Sequence, residues 1–351
     1  MNRTVSHTLA AAIGFSVAFL FKTAKQPEYR ASPNNPQVVA DVAADTIDKP
    51  GKIGSAHPQE EHYSPIQASA SDLESWAKSF QDDTKQHAEA LVISGVLTAN
   101  PQLIRDGIAA APENSHLLFI GATDHSFDAE ERLAYRKRLY DQSPDNSLSS
   151  YLYASTLFET GREEEALEIF LSSETRPDVE DYSALTSLLL EDAYLASGAT
   201  LRQAKVESII NLPLPHLSEM FAFAKRLKAL EPTLPSTEAA KVRMLSSRMG
   251  MQISEQANSG SIVNLATGLR LEELILEGLP DYESSPYAGL TVGQARHQIE
   301  QERTDLKALI TETNESGDYL TSGSNLTTQH VDRIRILGER GALEWLRSKR
   351  K

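Results

Sequence analysis

Tyr153-Ala154-Ser155-Thr156-Leu157-Phe158-Glu159-Thr160-Gly161-Arg162-Glu163-Glu164-Glu165-Ala166-Leu167-Glu168-Ile169-Phe170 holds two apolar-periodic segments joined at a glycine. Gly161 stands where a helix ending needs a left-handed residue. Glu163, Glu164 and Glu165 then open the second segment, where negative charge complements the helix dipole. Working outward, the same period near 3.6 runs from Ser71 to the C-terminus without alternating strand segments, which predicts an all-α fold. Ser71-Asp72 reads as an N-cap before Leu73. Further helices are expected at about 84–99, 102–111, 115–125, 128–142, 147–160, 163–173, 180–197, 200–211, 216–230, 236–255, 261–278, 290–313 and 328–348. Gly198 ends a segment as Gly161 does, and Pro112, Pro144 and Pro177 each follow one that they cannot continue. Short connections make successive helices antiparallel neighbours.

Those three prolines recur at intervals of 32 and 33 residues. Ala122, Ala154 and Ser187 lie ten residues beyond them, and Ala134 and Ala166 lie twenty-two beyond the first two. Small side chains at one place in each unit let paired helices approach closely, as a stack of repeats requires.

Ala154, Gly161, Ala166, Phe170 and Pro177 fill the places of the small residue, turn glycine, second small residue, aromatic and closing proline of a tetratricopeptide repeat, which the stretch 145–178 resembles. The likeness is looser over 84–212: Phe127-Asp128 replaces the turn glycine in one unit, and the unit after Pro177 carries roughly four extra residues, expected in its first helix. The resemblance implies a right-handed superhelix of antiparallel hairpins whose first helices line a concave face for a protein or peptide. That face would carry His116, Phe119, Thr123, Tyr151, Ser155, Phe158, Glu159, Glu191 and Asp192. These are aromatic and acidic, so the implied partner is basic or aromatic.

Residues 1–25 read as a signal anchor. Val5 to Phe21 carry no charge, and at about 1.5 Å per residue span roughly 25 Å, which flanking Arg3 and Lys22 extend by snorkelling. The exit Phe21-Lys22-Thr23-Ala24-Lys25 lacks a small-x-small cleavage site, so an uncleaved anchor is favoured over export after signal cleavage. The short n-region of bacterial type places the bulk of the chain in the periplasm or otherwise outside the cytoplasm. Residues 26–70, with Pro27, Pro33, Pro36, Pro50, Pro58 and Pro65, read as a disordered tether. His57 and His62 within it offer no third ligand, so no metal site is expected.

The helical repeats occupy 71–212, and a C-terminal helical region, 213–351, packs on or extends them. In it Met244, Met249 and Met251 share one segment and read as adaptable core. Val331, Ile334, Leu337, Gly338, Gly341, Ala342 and Trp345 form one face of a last, capping helix. Basic Arg333, Arg335, Arg340, Arg347, Lys349, Arg350 and Lys351 crowd this end of a chain whose formal charge is -15. That charge argues against nucleic acid as a partner. With 0 cysteines, disulfides, thiolate catalysis and thiolate metal sites are excluded. No phosphate loop, nucleophile elbow, zinc helix or calcium loop occurs, and no cofactor is implied. Two function classes remain. One is a membrane-tethered helical-repeat scaffold in the cell envelope; the other is an envelope enzyme or glycan-binding protein on an α/α array. Converging carboxylates with raised pKa values in one deep cleft would mark the second.

Overall fold

The computed structural model describes residues 66–255, 261–322 and 324–349. Val5–Phe21, the proline-rich tether up to residue 65 and the pair His57 and His62 lie outside them. Every described element longer than an isolated bridge is helical, so the chain is all-α as its periodicity predicts. In chain order the helices are α1 (Ala70–Ser79), α2 (Thr84–Thr98), α3 (Pro101–Ala110), α4 (Ser115–Thr123), α5 (Ala129–Gln142), α6 (Ser147–Glu159) and α7 (Glu163–Ser172). After them come α8 (Ser183–Ala196), α9 (Leu201–Ile210), α10 (Pro215–Leu230), α11 (Ser236–Ser254), α12 (Ile262–Leu276), α13 (Val292–Ser322) and α14 (Ser324–Lys349). Among the described residues no helix is long and apolar enough to cross a membrane.

Local chemistry sets the boundaries. Asp83, Asn100, Asn114, Asp128, Asn146, Thr200 and Ser261 each accept a backbone N–H of the helix they precede, satisfying donors that would otherwise lack a partner. Pro101 and Pro215 occupy first-turn positions, where no N–H is needed. Gly161 and Gly198 adopt φ of 76° and 86° past the ends of α6 and α8, the left-handed conformation expected of them. The first helix is capped at Ser69 rather than Ser71, and the Ser69 side chain makes no capping bond.

Helices pair as α2–α3, α4–α5, α6–α7 and α8–α9, and α5 packs on α6. The extra residues after Pro177 do not lengthen α8. They fall in the 173–182 connection, a 3₁₀ turn followed by an extended strap whose Asp178 joins Asn146 by a parallel bridge. This longer strap carries α8 back onto α1 and α2. Then α10 lies on α6, and α11 and α12 pair tightly with α12 also touching α10. Gly250 and Gly268 make that last pairing possible: a Cβ on Gly268 would sit 2.6 Å from the Gly250 carbonyl oxygen.

One large core joins α1 through α12, and a second, centred on Ile262, Leu269, Leu276, Val292, Ile299 and Leu346, holds α13 and α14 against α12. The terminal helix is not continuous. Gly338, at φ 69° and ψ 173°, breaks α14, so Leu337 turns to solvent instead of joining the face formed by Val331, Ile334, Ala342 and Leu346. Of the three methionines, Met249 is in the core and Met244 is exposed.

Candidate functional site

The nine residues drawn on the concave face divide three ways. His116, Phe119, Thr123, Tyr151, Ser155 and Glu191 are buried, Phe158 is half-buried, and Glu159 and Asp192 are exposed. What covers them is the chain itself. The ring of His116 stacks on Tyr182 of the strap with centroids 5.6 Å apart, and its Nε2 shares a 2.9 Å hydrogen bond with Thr186. Phe119 lies 5.5 Å from both Tyr182 and His216. The Tyr151 hydroxyl donates to Gln252 of α11 at 2.7 Å, and Phe158 packs on Phe223 of α10 at 5.8 Å. Glu191 is paired with Lys205 and with Arg335 of α14. Burial holds the His116 imidazole down to about 4, so it is neutral.

The cover is built by residues that local sequence reading passes over. Leu217, Met220, Phe223, Ala224 and Leu227 recur at three and four residues along α10 and all are buried. Burying each of the four larger side chains stabilises by about 1.5–3 kcal/mol. That spacing is the signal that α10 docks into the hairpins.

A cavity of about 450 Å³ opens between α11, α12, α13 and the 277–291 loop. Its walls include Met251, Leu265, Leu290 and Ile299, and its polar groups are Glu255, Glu272, Tyr287, Gln298, Glu302 and Asp305, with Arg340 at one side. The Gly250–Gly268 crossing places Glu272 against Ser254, whose Oγ donates to Glu272 Oε1 at 3.4 Å. Burial pushes the Glu272 carboxyl up to about 7, helped by the charges of Glu302 and Glu255 and opposed by hydrogen bonds from Tyr287 and Ser254. Burial and the same carboxylate raise the Tyr287 hydroxyl. That hydroxyl is enclosed between Glu272 and Ser247. Sequence reading missed this group because Glu272-Glu273 looks like a solvated pair. Only Glu273 behaves so, paired with Arg270 and Arg303.

A third feature lies on the surface. Among the described residues eight large apolar side chains are exposed, and six of them, Leu185, Leu188, Leu195, Leu201, Ile336 and Leu337, belong to α8, α9 and α14. These three helices form one unit. Arg335 reaches from α14 to the Ser187 carbonyl at 3.3 Å and to Ser208 Oγ at 2.7 Å, and its guanidinium pairs with Glu191.

No family model matches this chain, and no curated protein or solved structure matches it either.

Proposed function

We propose that this chain is a membrane-tethered helical scaffold of the cell envelope that docks a protein partner through α8, α9 and α14. The observation that carries the reading is the concentration of exposed leucine and isoleucine on those helices, since a concentration of exposed apolar side chains on a folded chain marks an interaction site. The hairpin pairing and the resemblance to tetratricopeptide repeats support a binding role. The uncharged run Val5–Phe21 supports the tether. Because α10 and the 173–182 strap cover the first helices of the hairpins, the partner belongs on the outer face of α8 and not in the concave groove. Leu185, Leu188 and Leu195 suit an apolar segment, and exposed Asp192 between them suits a basic residue within it.

The test is a photo-crosslinking residue placed at Leu188 in cells, with the same residue at exposed Met244 as control. A discrete adduct from position 188 and none from 244 is the expected result. Equal labelling at both, or none at either, overturns the reading. Recovery of full-length chain in the soluble fraction removes the tether.

One observation favours the second function class, the carboxylate cavity at Glu272. A glycan cleft, however, needs aromatic platforms for sugar faces, and Tyr287 is the one aromatic side chain lining it.

A further inference from the structure

Residues 332–351 reverse the sign of a chain whose formal charge is -15, and their packing separates the cations held inside the fold from those left facing out. Arg335 is taken up by Glu191, and Arg347 by Glu312 of α13. Arg333 is exposed and, among the described residues, meets no carboxylate; its guanidinium lies 5.8 Å over the ring of Trp345. Lys349, beyond the Gly338 break, brings its ammonium to 6.0 Å from the same ring. The two halves of α14 thus gather two cations around one half-buried tryptophan.

Apolar surface adjoins them. Ile336 and Leu337 stand one turn along from Arg333 on the same helix face, and they are 64% and 45% exposed. Asp332, one turn from Ile336, is paired with Lys205. Helix-dipole complementarity accounts for basic residues near a helix end, but not for bare isoleucine and leucine beside them. A bilayer interface accommodates all three kinds of side chain. The indole ring sits at headgroup level, the cations meet phosphate, and the aliphatic side chains reach the acyl boundary.

We propose that the surface of α14 around Arg333, Ile336, Leu337 and Trp345 docks on an anionic lipid bilayer and holds the folded body against it. This rests on the tether of the proposed function, which keeps the surface close to a bilayer, and it leaves the outer face of α8 for the protein partner. Two apolar side chains and a few cations bind a membrane weakly by themselves. A linker that makes the second attachment intramolecular raises its effective concentration, so weak contacts suffice. Charge also sets the orientation. Anionic headgroups repel the acidic remainder of the chain and attract this one end, which turns α14 toward the lipid.

Because the chain has 0 cysteines, Ile336→Cys takes a single environment-sensitive nitrobenzoxadiazole label. The labelled full chain is reconstituted from detergent into vesicles of phosphatidylcholine alone, and of phosphatidylcholine with about one third phosphatidylglycerol. Flotation with the neutral vesicles reads the tether and fluorescence at position 336 reads the docking, so either can fail without the other. A blue-shifted emission at least twofold brighter is expected in the anionic vesicles only, quenched by spin-labelled acyl chains and reversed by about 0.5 M salt. The same label on Leu188→Cys should not respond. Arg333→Gln, at an exposed position, should lower the docking equilibrium about fivefold without moving the melting temperature. Equal responses in the two kinds of vesicle, no response in the anionic ones, or an unchanged equilibrium in Arg333→Gln each overturns the proposal. So does a response to polyglutamate in place of anionic lipid, which would assign the surface to an acidic protein segment.

Discussion

Arg136 of α5 is sealed in the interior opposite Glu219 of α10, with its Nη2 donating to Glu219 Oε2 at 2.7 Å across 83 residues of chain. Its Nε donates to the Ala122 carbonyl at 2.7 Å and its Nη1 to the Leu152 carbonyl at 3.2 Å, so one guanidinium ties α4, α5, α6 and α10 together. A buried ion pair contributes little net stability when whole, but losing one partner strands the other charge in a low dielectric. Glu219→Leu alone should cost about 3–5 kcal/mol. Adding Arg136→Met should restore much of that, and urea melts of the two single variants and the double variant measure the coupling. Additive losses would mean that the pair is solvated.

The Gly250–Gly268 crossing supports a second prediction. A methyl at position 268 would meet the Gly250 oxygen and the Ser254 nitrogen, each at 2.6 Å, and neither is a flexible side-chain end. Gly268→Ala should therefore push α11 from α12 and cost about 1–3 kcal/mol by overpacking. Gly161→Ala is the comparison, since no heavy atom lies within 4 Å of its Cβ and only the φ of 76° is strained. Its cost, about 1 kcal/mol, should be smaller in the same thermal melts.

Exposed leucines on α8 predict solubility behaviour apart from any partner. Leu188→Glu with Leu195→Glu removes exposed apolar surface, so stability should change by no more than about 0.5 kcal/mol per site. Concentration-dependent self-association, read by light scattering, should fall. A large drop in melting temperature would place these side chains in the core.

Helix positions were legible because each boundary carries its own chemistry: Asn100, Asn114 and Asn146 cap, Gly161 and Gly198 close, and Pro112, Pro144 and Pro177 break. What fills the groove was not. Arg136 and Glu219 each look like surface charges in their own helices, and only the packing of α10 on α6 brings them together. Gly338 was read as one more small residue on a helix face, although a glycine there also permits the positive φ that ends the face. The Glu272 site has no local motif at all. Its one sequence trace is the pair of mid-helix glycines that lets α11 approach α12.

Buried titratable groups of both kinds pull the pH profile in opposite directions. Burial pushes Glu339, which accepts the Ile262 N–H at the start of α12, up to about 7, and holds His330, stacked on Trp345, down to about 4. For Glu339 the folded chain keeps a proton that the unfolded chain releases above about 4.5, so its contribution is whole at low pH and is lost as pH rises toward 7. Glu272 acts in the same sense. For His330 and His116 the folded chain refuses a proton that the unfolded chain takes up below 6.5, so stability is lost as pH falls from 6.5 toward 4. Between about 4.5 and 6.5 the two slopes oppose each other. Glu339→Gln keeps an acceptor for Ile262 and deletes one descending slope. Its stability relative to the native chain should climb by about 1.4 kcal/mol per pH unit over that interval, reaching roughly 3 kcal/mol at pH 8. Urea denaturation at pH 5 and pH 8 measures the difference, and a variant no more stable than the native chain at pH 8 would mean that Glu339 ionises in water.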